Sequence, residues 1–412
     1  MSSATEGEEG RRVVLQPAVH LLTGQAGLHD LGFDGSGQTV GFLDDDITSD
    51  ELAPFVLERL NPPTPAGRRH PTHGDEMAAS LVQAAPGARL LTFNVFDRHG
   101  SITRSAIREG IEAIRDHAGA RLVNVSLQIV RNPAMCSPER PCTACRALRE
   151  AADAGLIVVV AAGNQGAPAP GSIEEATGNV TCPAAEGGGI TVGATTGPPG
   201  SSRVDDDPQA AGVSGTSVSV AMVTGGIALL LQAFPAVTQD ELKQALAETA
   251  TILPHAPVAA VGAGRAHFYR AFRYLEHRFQ GGKTDPVEAE RVANVVLGGL
   301  GAVGSDLPLA EVPDDARESM GRAASLAPWS SELLLWIGLL NEEQNPAQAL
   351  EAAAEAVRLD WTQAAAHRLI SRLLERMGDQ HGARVEATIA DMLAAGQTLA
   401  AADTLFEALA NR

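Results

Sequence analysis

From Pro17 to Phe272, short apolar runs alternate with amphipathic stretches, and this constrains the fold more than any other feature of the chain. TVGFLD, RLLTFNVF, RLVNVSL, LIVVVAAG and GITVGAT are rich in Val, Ile and Leu. Between them, DEMAASLVQ, SAIREGIEAIRDHAG and CRALREAADAG carry helical patterns. Strands this apolar are buried on both faces, and spacers of about 10–15 residues suit helical crossovers. The expected fold class is therefore α/β, a parallel sheet flanked by helices. Ligands of such sheets lie beyond the carboxyl ends of the strands, so functional residues belong just after the apolar runs.

The character changes at the turn-rich segment GGKTDP. Beyond it β-branched residues thin out and Ala, Leu, Glu and Arg dominate, the composition of helices. Leu335 recurs as Leu369, Leu339 as Leu373, Asn345 as Asp379 and Ala349 as Ala383, each after 34 residues. That period resembles tetratricopeptide repeats, paired helices stacked into a solenoid. PDDARESMGRAASLAP reads as a partial earlier unit and Leu399–Leu409 as a capping helix. The expected organisation is a loosely packed segment 1–16, an α/β domain over 17–280, a linker at 281–285 and an all-α repeat domain over 286–412.

No apolar run reaches the length of a membrane span; Val218–Phe234 comes nearest but contains Ser219, Thr224 and two glycines, and reads as a buried helix. The first residues, MSSATEGEEGRR, have neither a basic n-region nor an apolar h-region, so a cytoplasmic location and no membrane partner are expected. The net charge of −19 argues against general nucleic-acid binding. Residues 285–412 carry 20 Asp and Glu against 9 Arg and no Lys, a net of −11. Of the four cysteines, Cys142 and Cys145 are spaced as C-x-x-C, without a second such pair or a following H-x-x-x-H. The first expectation is ordinary buried cysteines and no metal, with a disulfide or metal site second and redox catalysis last.

Four segments carry chemistry. LGFDGSGQTVGFLDDDI puts Asp44 at the end of a strand, and HPTHGDEMAASL puts His73 just before a helical pattern. LIVVVAAGNQG ends a strand at Asn164, and VSGTSVSVAMVTGG puts Ser217 at the start of the long apolar helix. Each has a bland reading: an acidic turn, a surface histidine, a turn asparagine, a helix cap. Together they make a catalytic set. A serine hydroxyl needs a base to take its proton, a histidine titrates in the right range, and a carboxylate fixes the histidine tautomer. An amide meets the oxyanion formed on a substrate carbonyl. The order Asp, His, Ser is one of the known triad orders.

These segments resemble the subtilisin-like serine peptidases, over roughly Pro17 to Phe272. The resemblance implies a triad of Asp44, His73 and Ser217, with Asn164 as oxyanion donor. VNVSLQIV resembles the strand that pairs with an extended substrate, implicating Ser126, Leu127 and Gln128, and Gly215 stands where the backbone approaches substrate closely. VGAGRAHFYRAF is similar to the family's closing segment. Asp45 follows the catalytic aspartate as in kexin- and furin-like members, which implies a basic residue at P2. Calcium is bound by many relatives, but no segment here is assignable as its site; no cofactor is expected.

This sequence also departs from the family pattern. HGDE places Asp75 and Glu76 beside His73, where carboxylates raise a histidine pKa. Gln128 and Ile129 replace usual glycines, which puts wide S1 and S4 subsites in doubt. Ala221 replaces a usual proline. No folding prodomain is visible. The expected function is a serine endopeptidase with a specific protein substrate, its helical repeats recruiting that substrate or binding a regulatory protein. The alternatives are a catalytically silent scaffold acting through its repeats, or acyl transfer by the same triad.

Overall fold

The computed structural model describes residues 17–64, 71–117, 119–129, 135–164, 180–194, 215–253, 262–302 and 312–410. The segment 1–16, expected to be loosely packed, lies outside them. Among the described residues six strands form one sheet: β1 (Thr39–Asp44), β2 (Val56–Arg59), β3 (Arg89–Asn94), β4 (Leu122–Val125), β5 (Ile157–Ala161) and β6 (Ile190–Val192). Their order is β2-β3-β1-β4-β5-β6 and every pairing is parallel. β2 lies at the edge, β3 inserts between it and β1, and β4 to β6 then build outward on the other side of β1, which makes the end of β1 the switch point of the sheet.

Alternate residues of the central strands feed two cores, because successive side chains point to opposite faces. Val40 and Phe42 of β1, and Ile157 and Val159 of β5, join one cluster with α3 (His73–Ala84), α7 (Thr216–Ala233), α8 (Gln239–Glu248) and α9 (Phe268–Phe279). Leu43, Val158 and Val160 join the other, under α4 (Arg104–Asp116) and α5 (Thr143–Asp153). Three further short helices are α1 (Pro17–Leu22), α2 (Gln25–Asp30) and α6 (Ala184–Gly187). Apolar on nearly all sides, α7 is long enough to cross a membrane by length and composition; here two-thirds of it is buried inside the protein. β2 was not foreseen. Its sequence VLER is mostly exposed and half charged, so it gives no apolar run.

Beyond β6 and α9 the chain is helical: α10 (Pro286–Leu300), α11 (Asp314–Leu326), α12 (Ser331–Asn341), α13 (Pro346–Leu359), α14 (Ala364–Arg376), α15 (Gln380–Ala394) and α16 (Thr398–Ala410). The 34-residue spacing has a structural counterpart. Asn345 and Asp379 are the N-caps of α13 and α15, accepting from Gln348 N at 3.2 Å and Gly382 N at 2.8 Å. Leu335, Leu369, Leu373 and Ala349 are buried between the two helix pairs.

This region is fastened to the first. Leu359, with Trp329 and Leu334, packs into the α7–α9 core. Tyr269 donates to Glu355 at 2.8 Å, and Arg270 to the Leu359 carbonyl at 2.6 Å. Ala18 and Leu22 of α1 pack with Trp361, Ile389 and Ala401.

Candidate active site

Asp44 is the last residue of β1 and is fully buried. Its Oδ1 accepts from Asp45 N at 2.7 Å and from His73 Nδ1 at 2.5 Å. Its Oδ2 is buried with no hydrogen-bond partner among the described residues, and burial raises the Asp44 pKa. His73 opens α3, with a third of its side chain exposed. The Asp44 carboxylate raises its pKa to about 9, against the opposing effect of burial; Glu76 and Asp45 add smaller upward contributions. Because Nδ1 is engaged by Asp44, Nε2 is the nitrogen left to exchange a proton.

The start of α3 is held by its neighbours. Thr72 and Asp75 form a reciprocal capping box. Asp75 also accepts from Thr48 N at 2.7 Å, Thr48 Oγ1 at 2.7 Å and Ser49 N at 2.9 Å. Burial works to raise its pKa, but hydrogen bonds from Ser49, Thr72 and Thr48 outweigh it and the net shift is downward. The sequence grouped Asp75 with Glu76 as a neighbour charging His73; its carboxylate instead ties the 48–49 loop to the helix. Gly74 is required for close approach, since a Cβ there would lie 2.3 Å from the Asp45 carbonyl.

Ser217 lies one residue inside α7, whose N-cap is Gly215. The capping role falls to Asn164: its Oδ1 accepts from both Thr216 N and Thr216 Oγ1 at 3.0 Å. With Oδ1 committed, Nδ2 is the part of the amide left to donate. Gly215 has a φ of 123°, and a Cβ there would lie 3.2 Å from that Nδ2. A side chain would be strained and would crowd the amide. The Ser217 hydroxyl donates to the Ser126 carbonyl at 3.1 Å; no hydrogen bond joins it to His73 among the described residues.

Strand register brings the two halves together. Leu43 of β1 faces Val125 of β4, so Asp44 and Ser126 stand at neighbouring strand ends. Ser126 Oγ donates to the Ser217 carbonyl at 3.1 Å and accepts from Asn124 Nδ2 at 2.9 Å, and Asn124 Oδ1 accepts from Thr224 at 3.0 Å. This buried chain of hydrogen bonds pins α7 to β4. The sequence marked Thr224 only as an interruption of an apolar helix and did not single out Asn124, because their pairing is tertiary.

Of the other expected residues, Leu127 is in the core beside β4. Gln128 reaches across to the opposite segment and accepts from Asn164 N at 2.9 Å. Asp45 is 7% exposed, and one of its carboxylate oxygens accepts from Asp46 N at 2.8 Å. The cysteines are buried, as first expected, and they also cluster: their sulfurs all lie within 4.8 Å of one another.

The subtilase family model matches residues 35–274. Subtilisin Savinase of Lederbergia lenta is 29% identical over 258 residues, covering 55% of this chain and 87% of that protein. Subtilisin E of Bacillus subtilis (strain 168) is 29% identical over 259 residues, covering 55% of this chain and 64% of its own. The MycP3 protease from the type VII (ESX-3) secretion system superposes with a TM-score of 0.51 at 21% identity. It covers 64% of this chain and 90% of its own, a likeness of fold. Members of the family need no cofactor for catalysis. The family match spans more than half of the residues and contains every element that carries Asp44, His73, Asn164 and Ser217, so the chain belongs to the subtilase family of serine peptidases.

Proposed function

We propose that the chain is an active serine endopeptidase in which Ser217 attacks the scissile carbonyl. The observation that carries this reading is the 2.5 Å bond from His73 Nδ1 to buried Asp44, made where Ser217 begins the central helix. Asp44 fixes the imidazole with Nε2 as the base and stabilises the imidazolium formed when Ser217 loses its proton. For this the Ser217 hydroxyl must leave the Ser126 carbonyl and donate to Nε2. Asn164 Nδ2 and the first N–H groups of α7 receive the oxyanion. The same imidazolium then protonates the leaving amine.

The substrate pairs as an added strand along residues 126–128. The Gln128 side chain, bonded across to Asn164 N, narrows the cleft that accepts the P1 residue. Small or slender P1 side chains are the expected choice, with Asp45 favouring a basic residue at P2.

The helical residues act at a distance, as tetratricopeptide-like repeats that recruit a protein substrate or regulator. Their described contacts with the peptidase region fall on α9, its core and α1, away from Asp44, His73, Asn164 and Ser217. Recruitment fits this placement better than plugging of the cleft.

A second reading, a silent scaffold, draws on the Ser217 hydroxyl being bonded to Ser126 instead of His73. Incubating the full chain and its Ser217→Ala variant with a peptide library, followed by mass spectrometry of the products, separates the two. The proposal expects internal cleavages by wild type alone; a folded wild type that cuts nothing supports the scaffold.

A further inference from the structure

We propose that Cys136, Cys142, Cys145 and Cys182 form a structural tetrathiolate zinc site that clamps the walls of the substrate cleft. Three separate segments converge on one point. Cys136 comes from the turn before α5, Cys142 and Cys145 from the N-cap and first turn of α5, and Cys182 from the stretch between β5 and α6. The Cys136–Cys145 and Cys142–Cys145 sulfurs are 3.6 and 3.5 Å apart, and all four lie within 4.8 Å of each other. Tetrahedral zinc with Zn–S bonds of about 2.3 Å requires sulfurs about 3.8 Å apart. A disulfide would need about 2.05 Å, and no disulfide joins these residues.

Further features fit a metal. Cys142 N donates to Cys136 Sγ at 3.3 Å, the kind of second-shell bond that orients a thiolate ligand. Four thiolates around Zn2+ leave a net charge of about −2. Thiolates are soft donors, which excludes calcium, a cation of oxygen ligands. A redox role needs an accessible thiol, whereas Cys142 is the most exposed of the four at 8%.

The position gives the site its purpose. Ile129 N donates to the Cys182 carbonyl at 2.8 Å and Cys182 N to the Ile129 carbonyl at 3.0 Å. Thr181 N donates to the Ala162 carbonyl at 2.8 Å. A metal held by Cys182 thereby ties the 126–129 segment and the segment leading to Asn164, the two sides of the substrate cleft in the function proposed above, to the start of α5. Because metal binding and folding are coupled, the ion also stabilises this side of the sheet.

The test uses the full, untagged chain carrying Ser217→Ala, which separates metal content from any self-cleavage. Elemental analysis is expected to find one zinc per chain, falling at least tenfold in Cys142→Ser/Cys145→Ser. Should that variant fail to fold, cobalt exchanged into the unaltered cysteines is expected to give intense thiolate-to-cobalt charge-transfer bands that zinc abolishes. Phenanthroline should lower the thermal midpoint, and added zinc should restore it. Zinc below a tenth of an equivalent without cobalt–thiolate bands, iron in its place, or an intact mass four hydrogens lighter from two disulfides would overturn the proposal. None of these outcomes depends on whether Ser217 is catalytic.

Discussion

The peptidase region and the helical region are held together by different kinds of contact. In the first, buried polar groups cross between elements: Asp44 to His73, Asp75 to Thr48 and Ser49, and Thr224 through Asn124 to Ser126. Each is costly to bury and stays only because its partner is there. In the second, the contacts between helix pairs are Ala and Leu in repeating positions, with polar residues mainly at the N-caps. Polar contacts also join helices there: His367 is bonded to Glu386 at 2.6 Å and the Trp361 carbonyl at 2.9 Å, and Ser371 donates to the Ala383 carbonyl at 2.7 Å. The difference teaches where each region tolerates change. The first is expected to lose activity through single polar atoms, and the second to lose stability through volume.

The largest test of that contrast is at the triad. Asp44→Asn is expected to lower kcat by about 10⁴-fold, because the imidazole loses its tautomer, and Asn164→Ala by about 10²–10³-fold. Both should leave thermal stability much less affected, and steady-state kinetics beside a melting curve reads the split. A drop in melting point large enough to explain the kinetics would break the comparison.

Paired core variants come next. Asn124→Ala leaves Thr224 and Ser126 without their buried partner and should cost about 1–3 kcal/mol of stability, along with kcat, since the bond from Ser126 steadies Ser217. Ala349→Leu overpacks the helix pairs at a similar cost of about 1–3 kcal/mol but should leave short-peptide turnover unchanged. Equal loss of turnover in both would show that the helical region couples directly to the site. Deleting residues 281–410 is a poorer probe, because it would uncover the apolar surface that Leu359, Trp329 and Leu334 cover.

The pH profile offers a finer test. His73 must be neutral to accept the Ser217 proton, so activity rises as pH climbs through its pKa. That pKa is raised to about 9, first by Asp44 and further by Glu76. The ascending limb should therefore lie well above the ordinary histidine value of about 6.5. Glu76→Gln should move it down slightly, and an upward move would contradict the assignment. The smallest effect expected is on specificity. Gln128→Gly opens the cleft and should improve kcat/KM for bulky P1 residues relative to alanine, with little change for alanine itself.

The catalytic candidates could be named in the sequence because each sits at a strand end or a helix start. The parallel sheet was legible from those runs, and the paired helices from the 34-residue recurrence. Three things were not. β2 carries charge on exposed positions and gives no apolar signal. Gln128 read as a replaced glycine, and only tertiary contact revealed its bond across the cleft to Asn164. Cys136 and Cys182 lie 46 positions apart in the sequence, and only the turn before α5 and the pairing of Ile129 with Cys182 bring them to the C-x-x-C pair.

The most direct test of the central claim is labelling of Ser217 by a fluorophosphonate probe, followed by peptide mapping of the adduct. Folded wild type should be labelled at Ser217, Ser217→Ala should stay dark, and Asp44→Asn should be labelled far more slowly than wild type. A folded wild type that takes no label, or takes it at another residue, would contradict the assignment of Ser217 as an activated nucleophile.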